Sequence, residues 1–290
     1  MTGPLISIVT PTRNRYSFLV EAVASVCAQT IADWEFLIID DHSSDATSTF
    51  IAGLSDPRIL SFRLDEHGER SAARNLGLSK ARAPFVMFLD DDDMLRPDAL
   101  RLLAAELAAN PSLVAAVGGL RFREANQDST LQFQTSHPCT LSIWRDLLFS
   151  FTPNSGQNLY RTQAVRFVGG YDPCLATCED RAMWLRVARL GPVRVISQVV
   201  LDYRQHSGQS KPSTLAEIRA RVIEAFIETL PLQDRAEARH LRLAANLIEQ
   251  DTLAAWIGAA RTAPYILRSP LSRRQMWWRL RAILLRSRLR

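Results

Sequence analysis

The sequence predicts an α/β fold: a mostly parallel sheet flanked by helices, followed by a helical C-terminal extension. Two observations carry this expectation. Short β-branched runs alternate with helically spaced apolar residues through the first hundred positions, which is the pattern of successive βαβ units. From Leu215 onward the patterning is helical throughout. The chain has 290 residues, 47% hydrophobic and 22% charged, an ordinary globular composition for one large or two smaller domains. We place the division at an α/β domain over residues 1–210 and a helical extension over residues 211–290.

Residues 5–9, Leu-Ile-Ser-Ile-Val, form the first strand. It stops at Thr10, Pro11 and Thr12, because proline cannot donate to a central ladder. From Ser17, Phe18, Leu19, Ala22, Val23 and Val26 recur at helical spacing, and Phe36, Leu37, Ile38 and Ile39 are a second buried-type strand. That strand empties into Asp40, Asp41, His42, Ser43, Ser44 and Asp45, short oxygen-bearing side chains suited to a turn and to capping a helix over residues 47–54. A third strand follows at Ile59 to Phe62, then a helix over residues 71–81 and a fourth strand over residues 85–89. The middle, residues 112–205, is less regular, with apolar runs at 113–117 and 193–200 that extend the sheet. Residues 152–157 read as a loop close to the functional edge. Val168, Gly169, Gly170, Tyr171 and Asp172 read as a turn ahead of a helix over residues 180–190.

Several function classes are excluded at this stage. The phosphate-loop and dinucleotide glycine patterns are both absent. The apolar stretches fall short of the roughly 20 residues that cross a bilayer, and no charged-then-apolar leader opens the chain, so a cytoplasmic protein is expected. Cys27, Cys139, Cys174 and Cys178 form no C-x-x-C pair, which argues against a zinc or disulfide framework. The formal charge of +5 comes almost wholly from arginine, since Lys80 and Lys211 are the only lysines. No basic nucleic-acid-binding fold accompanies it.

Parallel sheets of this kind bind ligands at the carboxyl ends of their strands. Three polar clusters fall there: residues 10–15, Asp40 with Asp41, and Asp90, Asp91, Asp92 and Asp93. Four adjacent carboxylates repel one another unless a proton, a basic partner or a divalent cation offsets them, and Mg²⁺ or Mn²⁺ prefers such hard oxygen donors. Read alone, the run fits equally a solvated acidic turn that caps a helix opening near Pro97 and Asp98.

Taken together and in order, several segments resemble family 2 glycosyltransferases of the GT-A fold, from about residue 4 to residue 210. They are Ser7-Ile8-Val9-Thr10-Pro11-Thr12-Arg13-Asn14, Ile39-Asp40-Asp41-His42-Ser43-Ser44-Asp45, Ala73-Arg74-Asn75-Leu76-Gly77-Leu78, Phe88 to Asp93, Val168-Gly169-Gly170-Tyr171-Asp172 and Cys178-Glu179-Asp180-Arg181. Residues 25–30 with Trp34 and Glu35, and Trp184-Leu185-Arg186, add to the match. The resemblance implies a Rossmann-like sheet, a D-x-D motif on Asp90, Asp91 and Asp92, and a nucleotide-sugar donor. Asp92 is then the first choice for the metal, Asp90 orients the ribose or sugar, and Asp93 is left to cap the following helix. Asp41 falls where the family reads the nucleobase, which favours UDP. Thr10, Pro11, Thr12 and Arg15 fall in the nucleotide-contacting loop. Arg70 and Arg74 face the diphosphate in this reading, with a surface ion pair as the alternative for Arg74. Asp180 becomes the general base, although Glu179-Asp180 alone reads as an ordinary helix start. His206, within Tyr203-Arg204-Gln205-His206-Ser207-Gly208-Gln209-Ser210, is a metal or phosphate ligand or a structural hydrogen-bonding residue. Met183 and Trp184 read as packing residues rather than an acceptor platform.

Residues 267–290 hold eight arginines and no acid, interleaved with Met276, Trp277, Leu280, Ile283 and Leu284. As a helix they suit an anionic membrane surface, which fits a lipid-linked saccharide acceptor on the inner face of the cell membrane. Packing on the catalytic domain is the alternative, and the C-terminal helices also suit a homodimer. The expected activity is inverting, metal-dependent transfer of a sugar to a saccharide or lipid-linked saccharide. The competing readings are a Mg²⁺-dependent sugar nucleotidyltransferase and a non-catalytic protein that binds sugar nucleotides or membrane.

Overall fold

A computed structural model describes residues 3–124, 127–132, 138–149, 152–206, 209, 214–248 and 258. Two compact units emerge, Met1–Leu141 with Pro153–Ser213 and Ser142–Thr152 with Thr214–Arg290. The Arg-rich residues 267–290 lie outside the described residues.

The first unit alternates as the apolar patterning requires. It runs β1 (Ile6–Thr12), α1 (Tyr16–Cys27), β2 (Trp34–Asp40), α2 (Thr47–Ala52), β3 (Ile59–Arg63), α3 (Glu69–Lys80) and β4 (Phe85–Phe88). Next come β5 (Met94–Leu95), α4 (Ala99–Ala109), β6 (Ala115–Glu124), β7 (Gln127–Gln132) and β8 (Cys139–Leu141). In the second unit lies α5 (Trp144–Phe149), after which the first unit resumes with β9 (Asn158–Arg161), α6 (Thr162–Phe167), α7 (Glu179–Val187) and β10 (Val193–Arg204). Every residue of β1, β2 and β4 is buried, as expected of central strands in a covered sheet.

Ten strands form one sheet in the order β3-β2-β1-β4-β9-β6-β10-β5, with β7 on β6 and β8 on β10. Strands β1 to β4 pair in parallel. Strand β9 runs antiparallel to both β4 and β6, and β10 is parallel to β6. It follows that β1, β2, β4, β6 and β10 all point their carboxyl ends to one edge, which carries residues 10–15, 41, 90–93 and 204–206 to the same side. At the opposite edge Glu35 accepts from Ser7 Oγ at 2.6 Å, Arg82 N at 2.7 Å and Arg82 Nε at 2.7 Å, tying β1 and β2 to the entry of β4.

One expectation is corrected here. Asp93 does not cap the next helix: Asp98 is the N-cap residue of α4, and Asp93 is 1% exposed with Oδ1 accepting from Arg204 N at 2.9 Å. The reason is β5, which turns the chain back against β10 before α4 begins. The boundary near residue 210 also has a counterpart upstream, because Ser142–Thr152 groups with the second unit. There the Trp144 and Phe226 rings lie 6.3 Å apart, and Arg145 Nε donates to Glu237 Oε2 at 2.8 Å. Besides α5, this unit contains α8 (Leu215–Thr229) and α9 (Leu232–Ile248). They bury Val222, Ile223, Phe226 and Ile227, then Ala238, Leu241, Ala244 and Ala245, the three- and four-residue spacing of an amphipathic face. No described helix is long and apolar enough to cross a membrane.

Helix α3 sits close on β1 because residue 77 is glycine: a Cβ there would collide with Val9 Cγ1, and Val9 is fully buried. Gly77→Ala would gain about 1 kcal/mol of helix propensity but overpack the contact by about 1–3 kcal/mol. A net loss of up to about 2 kcal/mol is expected, read as a lower urea midpoint; a raised midpoint would refute the close-packing account.

Candidate active site

The chain leaves β1 toward β2 and β3 on one side and returns to β4 on the other. That reversal of strand order opens a crevice beyond the carboxyl ends. A cavity of about 600 Å³ lies there, lined by Pro11, Thr12, Arg13, Arg15, Asp41, His67, Glu69, Arg70, Asp90, Asp91, Asp92, Ala176, Tyr203 and Gln209. The volume is within the usual range for a small-ligand site.

The aspartates divide their tasks by where each side chain turns. Asp91 faces back to the β1 loop, where Oδ2 accepts from Thr12 Oγ1 at 2.7 Å and Oδ1 pairs with Arg15 Nη1 at 3.3 Å. Asp92 Oδ2 meets Arg15 Nη1 at 2.6 Å and His206 Nε2 at 2.9 Å. Asp90 Oδ1 pairs with Arg74 Nη2 at 2.5 Å. Asp90, Asp92 and Asp93 each offer one carboxylate oxygen within 4.8 Å of the others. Asp93 Oδ2 is buried without a hydrogen-bond partner. A set of hard oxygens with one orphaned buried acceptor fits Mg²⁺ or Mn²⁺. Asp90, Asp92 and Asp93 are therefore the residues that could hold a metal, with Asp91 committed to Thr12 and Arg15.

The loop after β2 makes a parallel division. Asp40 is structural, accepting from Ser43 N at 2.8 Å and Ser48 Oγ at 2.7 Å and pairing with Arg63 at 3.0 Å. Asp41 faces the cavity and is fixed by Gly68 N at 2.7 Å and His67 Nδ1 at 2.7 Å. Asn14 adopts a left-handed φ of 52° and accepts from Ser44 N at 2.7 Å, stitching the β1 loop to the β2 loop. The other non-glycine residues with positive φ, among those described, are His42, Glu69 and Cys178. They stand beside Asp41, in the cavity wall and just before Glu179, which is where strained backbone is expected to gather.

Sequence-predicted residues fall into two groups. Pro11, Thr12, Arg15, Asp41, Arg70, Asp90, Asp91 and Asp92 line the cavity, whereas Thr10, Arg74, Asp180 and His206 are not among its lining residues. Thr10 is fully buried beneath the loop. His206 sits on Asp92 with its ring 4.7 Å from that of Phe18. Arg74 is 2% exposed, so the surface ion pair offered as its alternative is corrected to a buried one, with Nη1 on Glu179 at 2.8 Å and Nη2 on Asp90. Asp180 is half-buried at the start of α7, with Oδ1 accepting from Arg181 N at 2.6 Å. Trp184 and Met183 are fully buried. In the loop over residues 152–157, Gly156 N donates to Phe88 O at 2.5 Å, and Ser155 Oγ lies 3.5 Å from Arg74 Nη2; none of its residues lines the cavity. Sequence reasoning assigned no role to Arg13, His67, Glu69, Ala176, Tyr203 or Gln209. Tyr203 and Gln209 lie inside a quoted segment and were within reach, but His67 gains meaning only from Asp41, a partner remote in sequence.

Charge and burial set the protonation of the acids. Burial works against ionisation of Asp90, but the Arg74 guanidinium and its hydrogen bond outweigh it and hold the carboxyl below the usual range. Burial pushes Asp91 up to about 7 against the pull of Arg15 and Thr12, with Asp92 and Asp90 adding to the rise. Asp93 rises well above the usual range through burial and then its neighbours Asp92 and Asp90. Asp180 is raised by burial and then by Glu179, against Arg181 and Arg74. A carboxyl raised in this way takes up a proton more readily near neutral pH, as a general base must.

A model of glycosyl transferase family 2 matches residues 7–169. The chain is 30% identical over 183 residues to a putative colanic acid biosynthesis glycosyl transferase, WcaA, of Escherichia coli K12, covering 62% of this chain and 63% of that one. It is 36% identical over 99 residues to a putative teichuronic acid biosynthesis glycosyltransferase, TuaG, of Bacillus subtilis, covering 33% and 39%. A rhizobial relative of unassigned function, y4gI of Sinorhizobium fredii, is 30% identical over 224 residues, 74% of this chain and 24% of its own length. The chain thus spans between about a quarter and two thirds of these relatives. Among solved structures, S. aureus TarS 1–349 in complex with UDP-GlcNAc superposes with a TM-score of 0.71 at 18% identity, covering 98% of this chain and 92% of that one. The fold is therefore of the GT-A type.

Raising Asp91 from 3.8 to about 7 corresponds to about 4 kcal/mol. The folded state then binds a proton that the unfolded chain releases, so this stabilisation is complete below about pH 3.8 and lost as the pH rises through about 7. In protein free of divalent cations, Asp91→Asn should be progressively more stable than wild type as pH rises across that window, and level off above it. Urea unfolding at a series of pH values measures the difference; a difference independent of pH would contradict the burial of this carboxyl.

Proposed function

The chain belongs to glycosyl transferase family 2, and from that premise we propose that it moves a sugar from a nucleotide donor to a hydroxyl of a saccharide or lipid-linked saccharide. The donor is a UDP-sugar, the process polysaccharide assembly, and the anomeric configuration inverts. The observation that carries the reading is the convergence of Asp41, Asp90, Asp91 and Asp92 with Arg13, Arg15 and Arg70 around one cavity. The names of relatives in colanic and teichuronic acid biosynthesis, and UDP-GlcNAc in the TarS crystal, support the process and the donor.

In this mechanism Asp41 accepts a ring N–H of uracil through a lone pair left over from His67 and Gly68. The exposed Arg13 and the half-exposed Arg70 supply positive charge beside the diphosphate, and Arg15 holds Asp91 and Asp92 in place. Asp90, Asp92 and Asp93 would hold Mg²⁺ or Mn²⁺, which supplies Lewis-acid stabilisation of the departing diphosphate. Asp180 takes the proton of the acceptor hydroxyl as its oxygen bonds to the anomeric carbon and the bond from that carbon to the phosphate oxygen breaks. One displacement with one base gives an inverted product. The Arg-rich residues 267–290 are proposed to rest on an anionic membrane surface that presents the acceptor.

Two substitutions separate binding from chemistry. Asp92→Asn is expected to abolish the Mn²⁺-dependent part of UDP binding in a titration calorimeter. Asp180→Asn should leave that binding intact while lowering turnover about 10²–10⁴-fold. Transfer by Asp180→Asn at the wild-type rate would remove the general-base assignment, and release of pyrophosphate in place of nucleoside diphosphate would turn the reading toward nucleotidyl transfer.

A further inference from the structure

Arg74 lies on the second turn of α3 and carries its charge at 2% exposure. A buried guanidinium is rarely kept unless its donors are paired. Both terminal nitrogens are engaged, Nη1 with Glu179 Oε1 at 2.8 Å and Nη2 with Asp90 Oδ1 at 2.5 Å. The guanidinium carbon stands 5.0 Å from the ring centre of buried Tyr171. Asn75, the next residue of α3, holds that segment by donating to Tyr171 O at 2.8 Å and accepting from Tyr171 N at 2.9 Å. Arg74 does not line the cavity; Nη1 and Nη2 serve the two carboxylates, while Nε is buried without a hydrogen-bond partner.

Those carboxylates belong to different parts of the site. Asp90 opens the acidic loop after β4, while Glu179 is the first residue of α7 and the neighbour of Asp180. At the entry to α7 the N-cap residue, Cys178, has a left-handed φ of 61° and makes no side-chain capping bond, and the other arginine near Glu179, Arg70, stands farther off, with Nε 3.9 Å from Glu179 Oε1. We infer that Arg74 is a positioning residue that locks the acidic loop and the first turn of α7 into one register, so that Asp180 is held against a donor bound at Asp90 and Asp92. The link stands on the geometry; what it couples rests on the glycosyltransferase reading.

The test uses the full chain with Mn²⁺, UDP and UDP-GlcNAc, water standing in for the acceptor hydroxyl. Arg74→Met keeps the aliphatic stem and removes both ion pairs. It is expected to lower kcat for UDP release by about 100-fold while the Kd for UDP changes by less than about 3-fold. Adding Glu179→Gln should cost less than about 3-fold more, because residues acting as one unit are not additive. Arg74→Lys should recover part of kcat, and it also serves if the methionine variant does not fold. Loss of UDP affinity with kcat unchanged would make Arg74 a phosphate ligand and overturn the inference, as would a full additional loss from Glu179→Gln. If the wild type releases no UDP from any nucleotide sugar, the functional reading fails and the link is judged separately by hydrogen exchange. Arg74→Met should then speed exchange of the amides at 180–184 by about 10-fold or more and leave those at 34–40 unchanged; equal exchange in both proteins would overturn it.

Discussion

Four carboxylates cannot remain together at the end of one strand without cations or hydrogen-bonding groups brought from elsewhere, and much of the first unit's architecture at the functional edge serves that need. Arg15 arrives from the turn after β1, Arg74 from α3, and the amide of Arg204 with the ring of His206 from the end of β10. Each reaches the acidic loop because β1, β4 and β10 share a carboxyl edge. The antiparallel β9 makes this so, since it restores the strand direction between β4 and β6. Even so the compensation is incomplete. Asp93 keeps a buried oxygen without a partner, and Asp91 and Asp93 hold their protons more tightly than ordinary carboxyls. What the protein leaves unbalanced is what the proposed divalent cation would offset.

The proposed donor side rests on strands buried along their whole length and on loops stitched by Asn14, Ser43 and Thr47. The proposed acceptor side begins at α7, whose entry passes through a left-handed cysteine. Arg74 spans the two. A buried charge with both ends paired adds little stability, and in the proposed mechanism its part is to fix the base beside a bound donor.

Much of this was legible in the residues. Strands β1, β2 and β4 read clearly because burial on both faces leaves nearly unbroken apolar runs, and α7 was expected one residue from where it starts. Strands β5, β7, β8 and β9 were not, because segments of two to six residues take their form from the partner they pair with rather than from their own pattern. Asp93 illustrates the same limit within the site. Next to Pro97 and Asp98 it reads as a helix cap, and only the return of β10 to Arg204 makes it a buried acceptor. Likewise Arg74 reads as a diphosphate contact or a surface ion pair until Asp90 and Glu179 close on it, and His67 has no role until Asp41 stands beside it. Residues whose function depends on neighbours in the chain could be named; those defined by a distant partner needed the fold.

The claim that bears most weight is that the acidic loop binds the donor's diphosphate through a cation at the switch in strand order. Anomalous diffraction from crystals grown with Mn²⁺ and UDP tests it directly. The account predicts a manganese peak among the carboxylates of Asp90, Asp92 and Asp93 that also contacts the diphosphate, with the uracil beside Asp41. Manganese bound away from these carboxylates, or UDP seated outside this cavity, would contradict it.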